Sequence, residues 1–139
     1  MGREEIMALR WYSTVVDCQD VLAQAAWWAA ALDWKKVYES DDEVILVPKH
    51  ATPELLQSLP WEQVPPGLVF VRVPEGKVVK NRLHLDLAPH TSDDRDAEIA
   101  RLIAAGAARV EVGQDPDATH TVLADPEGNE FCVLSARDS

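Results

Sequence analysis

The feature that most constrains the fold of this chain is an internal repeat of one pattern of strands and helices. The first copy reads as a strand, a helix and three strands, and the second copy has the same order after a short polar stretch. Each copy has a sheet face that must be covered, and its twin can cover it. We therefore predict one α+β domain over residues 1–139, with modules at 11–73 and 82–136 joined by a linker at 74–81.

The first module begins with WYSTVVDC, residues 11–18, which is rich in the aromatic and β-branched residues typical of a strand. Asp20 can cap the helix over 21–33, where Val21, Ala25 and Trp28 recur at helical spacing and predict a buried face. The remaining predicted elements are hairpin strands at 34–40 and 43–49, a short helix near 54–59 in a proline-rich loop, and a strand at 67–73.

The second module opens with RLHLDLA, residues 82–88, in which leucines alternate with Arg82, His84 and Asp86. Alternation of this kind predicts a strand with the polar side chains on one face. Thr91 or Ser92 can cap the helix that follows. This helix has an apolar stripe of Ile99, Leu102 and Ile103, and Gly106 is predicted to end it. The strands that follow are predicted in ARVEV, HTVLAD and NEFCVL.

Near the end of the chain, a carboxylate follows a turn and enters an apolar strand, in the sequence HTVLADPEGNEFCVL. Alternation aims Glu130, Cys132 and Leu134 at the same face of the sheet. Burial of an unpaired carboxylate costs several kcal/mol or forces its protonation. Glu130 is therefore predicted to need a cation, a hydrogen-bond donor, a metal or water.

Composition excludes several classes of function. The formal net charge is −11, and so acidic a surface repels phosphate backbones, which argues against a nucleic-acid partner. The longest apolar stretch, at 21–32, is shorter than the roughly 20 residues a membrane span needs. The amino-terminal stretch lacks a signal-peptide pattern. Two cysteines, Cys18 and Cys132, are too few for a disulfide framework and suit a core in a reducing cytoplasm.

Three motifs carry a resemblance to a known family: HLDL opening the second module, LIAAGA ending its helix, and the final DPEGNEFCVL. Together with the repeat, they closely resemble the glyoxalase-like members of the vicinal oxygen chelate superfamily. The resemblance covers nearly the whole chain and implies that the two βαβββ modules form a cup-shaped, half-barrel mixed sheet. It also implies that His84 and Glu130 point into the cup as metal ligands or catalytic residues.

The ligand set implied by the resemblance is incomplete in the first module. The positions equivalent to His84 and Glu130 fall near Ser13 and near Val69 or Val71, which are poor metal ligands. His120 can supply a third ligand for zinc, nickel, manganese or iron if its side chain turns inward. Without a metal, the pair is interpreted as a general acid/base dyad or a polar anchor for a ligand. The alternative is a buried, hydrogen-bonded pair without a ligand.

Five further residues are predicted to contact a ligand. Trp61 lies in the proline-rich loop, where an aromatic ring can close over a flat molecule, although loop packing explains it equally well. Arg82 and Asp86 share the face of His84. The five predicted contacts are Trp11, Trp61, Arg82, Asp86 and Cys132. The basic stretch EGKVVKNR can attract an anionic substrate, but a solvated connection is the favoured interpretation.

The function implied by the resemblance is binding of an apolar or aromatic small molecule in the cup. If the protein is an enzyme, the superfamily suggests lyase, isomerase or dioxygenase chemistry, and a homodimer is expected. The alternative is non-catalytic sequestration of a drug or metabolite, as in the bleomycin-resistance relatives. An acidic protein would suit a cationic drug.

Overall fold

The internal repeat is present in the computed structural model, which describes residues 9–111 and 119–139. The chain divides after Pro74 into two compact units, and each contains one four-stranded mixed sheet. Both units contain the order strand, helix, three strands, with two short helical turns added in the first. The predicted α+β class with two tandem modules is confirmed, while the interpretation of both as one domain stays a prediction.

The first unit has the sheet order β1-β4-β3-β2, in which β1 and β4 are parallel and the other neighbours antiparallel. A 3-10 turn at Trp61–Gln63 precedes β4. The strands are β1 (Ser13–Cys18), β2 (Trp34–Glu39), β3 (Glu43–Pro48) and β4 (Gly67–Arg72), and the helices are α1 (Val21–Leu32) and α2 (Pro53–Ser58).

Helix α1 covers one face of this sheet. The carboxylate of Asp20 accepts a hydrogen bond from the backbone N–H of Ala23 at 3.1 Å, which confirms the predicted cap. Asp33 ends the helix in the left-handed conformation. The helix packs on β2, β3 and β4. The core between the helix and the sheet contains Val21, Ala25 and Trp28 of the helix and Val44, Leu46, Leu68 and Phe70 of the strands.

The second unit has the sheet order β5-β8-β7-β6, with β5 parallel to β8. Its elements are β5 (Asp86–Leu87), α3 (Arg95–Ala104), β6 (Ala108–Arg109), β7 (Thr121–Ala124) and β8 (Glu130–Val133). The strand predicted in ARVEV is described only as far as residue 111, so its last residue lies outside the described part of the chain. Ile99 and Leu102 of α3 are buried, as the apolar stripe predicts.

The strand predicted over 82–88 is much shorter than expected. Only Asp86 and Leu87 pair with β8, and Leu83, which the alternation placed on the leucine face of the strand, is 89% exposed. At the start of β8, Asn81 donates to Glu130 twice, from its backbone N–H to the carboxylate at 2.9 Å and from its side-chain amide to the carbonyl at 3.3 Å. Among the described residues, Glu130 is therefore bonded to Asn81, which precedes the predicted strand, and not to a residue within 82–85.

The cap of α3 also differs from the prediction. Asp94, not Thr91 or Ser92, accepts a hydrogen bond from the N–H of Ala97 at 3.2 Å. The hydroxyl of Ser92 is bonded instead to the ring of His90, 2.8 Å from its Nδ1. The helix therefore begins at Arg95, two residues later than a cap at Ser92 would place its start.

Arg95 fastens the first turn of α3 to the ends of β7 and β8. Its guanidinium donates to the carbonyl oxygens of Leu134 at 2.8 Å and Val133 at 2.7 Å, and to the Thr121 hydroxyl at 2.9 Å. The planar fork of an arginine can serve several acceptors at once. Among the residues the structure describes, no helix has the length and apolar character required to cross a bilayer.

Candidate functional site

The turn before β8 is built around a buried aspartate. The Asp125 carboxylate accepts hydrogen bonds from the backbone N–H groups of Glu127 and Asn129, each at 3.0 Å. Gly128 has φ +91°, a conformation that glycine adopts without steric cost. The turn therefore starts β8 at Glu130, and Glu130 and Cys132 share a face by alternation.

The Glu130 carboxylate is neutralised within its own unit. Its Oε2 accepts from the ammonium of Lys77 at 3.0 Å, and its Oε1 accepts from the N–H of Asn81 at 2.9 Å. The Asn81 amide also donates to the Glu130 carbonyl at 3.3 Å. The side chains of Lys77 and Glu130 are only 17% and 12% exposed. The predicted need for a cation or a donor is therefore met by Lys77 and Asn81.

These contacts set the charge state of Glu130. Partial burial raises the pKa of its carboxyl. The hydrogen bond from Asn81 and the charge and hydrogen bond of Lys77 lower this pKa, and together they outweigh the effect of burial. The net effect holds the pKa of Glu130 below its ordinary value. Glu130 is an anion at neutral pH, and both of its oxygens already have donors.

His84 lies against a different carboxylate. Its Nε2 is 3.2 Å from Oδ1 of Asp86, and the two side chains are 44% and 48% exposed. Asp86 is paired in register with Cys132 of β8, so their side chains lie on the same face as Glu130. We call this surface, which carries Asp86, Glu130 and Cys132, the polar face of the second sheet.

Cys132 is only 7% exposed, and its thiol lies beside Asp86. Burial raises the pKa of the Cys132 thiol, and the charge of Asp86 and a hydrogen bond to it raise it further, while Lys80 lowers it by a smaller amount. Cys132 is therefore a protonated thiol at neutral pH when no cation binds beside it.

Potential metal ligands lie close together around Cys132. In the part of the chain that the structure describes, one group of three such residues is present, formed by His84, Asp86 and Cys132, with ligand atoms all within 4.8 Å of one another. Glu130 and His120 are not members of this group. The donors therefore differ from the set His84, Glu130 and His120 that the sequence suggests, and that set stays a prediction.

The residues predicted to contact a ligand occupy different places. Arg82 is exposed and lies outside β5. Trp11 is 66% exposed, and Trp61 is 39% exposed in the first unit. The guanidinium of Arg10 lies 4.3 Å from the ring centroid of Trp61 and 4.5 Å from that of Tyr12. One ring face of Trp61 therefore contacts a cation, and the ligand-binding roles of these residues stay predictions.

Sequence reasoning missed two residues of the site. Lys77 was interpreted as part of a solvated connection, and Asn81 received no role, yet both bind the Glu130 carboxylate. The available signal was a buried carboxylate that needed a partner together with a basic stretch in an acidic chain. Neither periodicity nor spacing connects residues that are 53 and 49 positions apart.

Comparisons with known proteins support the family and the fold that the repeat and its motifs predict. The family model described as glyoxalase-like domain matches residues 13–134. A glyoxalase/bleomycin resistance/dioxygenase family enzyme from Burkholderia phytofirmans is similar in structure, with TM-score 0.65 and 16% identity over 91% of this chain and 98% of that chain. None of the curated proteins matches the chain significantly.

Two other similar structures contain ligands. A bleomycin-binding protein from Streptomyces verticillus, complexed with copper(II)-bleomycin, has TM-score 0.55 and 18% identity over 94% of this chain and 98% of that chain. A variant of a genomically encoded fosfomycin resistance protein from Listeria monocytogenes, complexed with Mn(II) and 1S,2S-dihydroxypropylphosphonic acid, has TM-score 0.65 and 9% identity over 94% and 92%. At such identities the likeness concerns the fold.

Proposed function

The chain belongs to the glyoxalase-like domain family, and from this premise we propose that it binds a small organic molecule at the polar face of its second sheet. The observation that carries the proposal is the exposed pair His84 and Asp86, 3.2 Å apart, at the edge of that face. Glu130, by contrast, is largely buried and bonded to Lys77 and Asn81. His84 and Asp86 are thus the exposed polar groups that can meet a ligand, while Glu130 binds the chain at Lys77 and Asn81.

The pair also supplies the elements of proton transfer. If Nε2 of a neutral His84 ring donates to Asp86, the lone pair lies on Nδ1. A nitrogen in that state can accept a proton from a carbon next to a carbonyl group, and Asp86 would orient the ring and stabilise its cation. The chemistry that fits is therefore of the lyase or isomerase type, on an apolar or aromatic metabolite with a carbonyl group.

Sequestration without chemistry is the second candidate, and the charge of the chain favours it. The net charge of −11 attracts cationic organic molecules. A protein of the same fold binds copper(II)-bleomycin. In this case His84 and Asp86 would contact the ligand and leave it unchanged.

The test is a ligand screen that observes the second unit directly. All five tryptophans precede Pro74, so their fluorescence reports on the first unit. Amide chemical shifts in residues 84–87 and 130–133 report on the polar face instead. We would screen apolar and aromatic carbonyl compounds, and cationic drugs, against the wild type, His84→Ala and a control, His90→Ala, which changes another exposed histidine of the same unit.

The proposal expects shifts at the polar face that persist in His90→Ala and are lost in His84→Ala. Exchange of ligand C–H for deuterium in heavy water, dependent on His84, would select enzymatic chemistry over sequestration. Shifts confined to the first unit, or shifts equal in both variants, would contradict the proposed site.

The proposal includes a homodimer and a cytoplasmic location. Light scattering coupled to size exclusion tests the first, and a molar mass near 15.4 kDa at micromolar concentration would refute it. Localisation of the tagged chain after cell fractionation tests the second.

A further inference from the structure

The polar face combines three kinds of metal ligand at one point. The imidazole of His84, the carboxylate of Asp86 and the thiol of Cys132 offer nitrogen, oxygen and sulfur atoms that all lie within 4.8 Å of one another. Parallel pairing of β5 with β8 holds Asp86 beside Cys132, and the 3.2 Å contact holds His84 beside Asp86. Two of the three ligands thus stand on paired strands, which gives the group a defined geometry.

The neighbouring carboxylate is a poor ligand by comparison. Both oxygens of Glu130 are engaged, one by the Lys77 ammonium and one by the Asn81 N–H. A cation bound to Glu130 would have to displace the ammonium, which is itself only 17% exposed. The residues around Glu130 therefore do not fit a metal ion.

We propose that His84, Asp86 and Cys132 bind one zinc ion or a similar divalent transition metal, in place of a site that uses Glu130. Nitrogen, carboxylate oxygen and thiolate sulfur are the ligands of zinc, whereas magnesium and calcium prefer oxygen alone. Binding replaces the S–H bond of Cys132 with a metal–sulfur bond and releases the proton to solvent. Three protein ligands leave one position of a tetrahedral ion open to water or to a small molecule.

The fit requires a modest movement. Zinc bonds of about 2.0 Å to nitrogen and oxygen and about 2.3 Å to sulfur place tetrahedral ligands roughly 3.3–3.5 Å apart. The present separations of up to 4.8 Å would therefore shrink by about 1 Å. Rotation of the exposed His84 and Asp86 side chains can supply this movement, because neither is confined by burial.

The experiment is a cobalt(II) titration of the whole chain, purified without an affinity tag, followed by displacement with zinc. A cobalt–thiolate bond gives a charge-transfer band in the near ultraviolet that imidazole and carboxylate ligands do not give. We expect this band at one cobalt per chain and its loss on addition of zinc. In Cys132→Ser the band should vanish, and zinc affinity should fall by about 100-fold or more. Loss of a group that only hydrogen-bonds to a metal ligand costs up to about 100-fold in affinity, and loss of a ligand itself should cost at least as much.

Two controls separate the alternatives. Cys18→Ser changes the other cysteine of the chain, which lies in the first unit, and should leave the band unchanged. Glu130→Gln should retain the band, whereas a site of His84 and Glu130 would lose its affinity in this variant. Protection of Cys132 from alkylation by zinc in the wild type, read by peptide mass spectrometry, gives the same test without a substitution in the site.

Absence of the band in the wild type, or equal loss in Cys18→Ser and Cys132→Ser, would overturn the proposal. Loss of zinc binding in Glu130→Gln with retention in Cys132→Ser would overturn it as well. The ligand screen above is run with a chelator present. Failure of the metal site and failure of the small-molecule site therefore give distinct results.

Discussion

The ion pair between Lys77 and Glu130 should contribute far more to stability than the pair between Lys49 and Asp33. The two pairs have similar lengths, 3.0 Å and 2.7 Å. They differ in exposure, which is 17% and 12% for the first pair and 62% and 79% for the second. Solvent screens exposed pairs so strongly that they contribute about 0–1 kcal/mol.

The perturbation is Lys77→Met, which retains an unbranched apolar side chain and removes the charge. Removing one partner of a fully buried pair costs about 3–5 kcal/mol, because a buried charge is left uncompensated. Glu130 keeps the hydrogen bond from Asn81 and some access to water, so we expect a loss of about 2–3 kcal/mol. The matched control, Lys49→Met, should change the free energy of unfolding by less than about 0.5 kcal/mol.

The pH dependence has a definite sign. The pKa of Glu130 in the folded protein lies below its ordinary value of 4.5, so the unfolded chain takes up the proton first as the pH falls. The stabilisation is therefore complete above pH 4.5 and is lost as the pH falls through the lower folded value. In Lys77→Met, the dependence of unfolding free energy on pH in this range should become weaker.

The assay must observe the second unit. Tryptophan fluorescence reports on the first unit, so urea unfolding is followed by far-ultraviolet circular dichroism, with hydrogen exchange measured in peptides that cover 77–87 and 127–134. Faster exchange at Asn81 is expected in Lys77→Met because the acceptor of its N–H is no longer held by Lys77. If Lys77→Met is as stable as Lys49→Met, the electrostatic argument for Glu130 is wrong.

Three further predictions concern the second unit. Asp94→Ala should cost about 1 kcal/mol by thermal unfolding, whereas Thr91→Ala should have little effect, because Asp94 accepts from Ala97 and caps α3; equal effects would contradict this assignment. Arg95→Lys should cost about 2 kcal/mol in urea unfolding, since a lysine cannot serve the same strand-end acceptors at once; wild-type stability would refute it. Gly128→Ala should cost about 1–2 kcal/mol from its positive φ alone, since no described atom outside residues 127–129 lies within 4 Å of the added carbon, and a cost below about 0.5 kcal/mol would show that the turn relaxes.

Much of the fold could be predicted because its signals are local. The cap at Asp20, the helix predicted over 21–33 and the strands of the first unit follow from spacing and composition over short stretches, and all are confirmed, the helix ending at Leu32. The family was predicted from the repeat and three motifs, and the family model confirms it over residues 13–134. The errors lie at 82–88 and at the start of α3, where side-chain hydrogen bonds compete with the local pattern.

The sequence by itself determined that Glu130 would share a face with Cys132 and would need a partner, because alternation and desolvation depend on adjacent residues and on charge alone. Only the tertiary structure decided that Lys77 and Asn81 are the partners. It also brought His84, Asp86 and Cys132 together. Hydrogen bonds and ligand contacts act over about 3 Å, so they depend on how distant segments return to one strand, which no local pattern specifies.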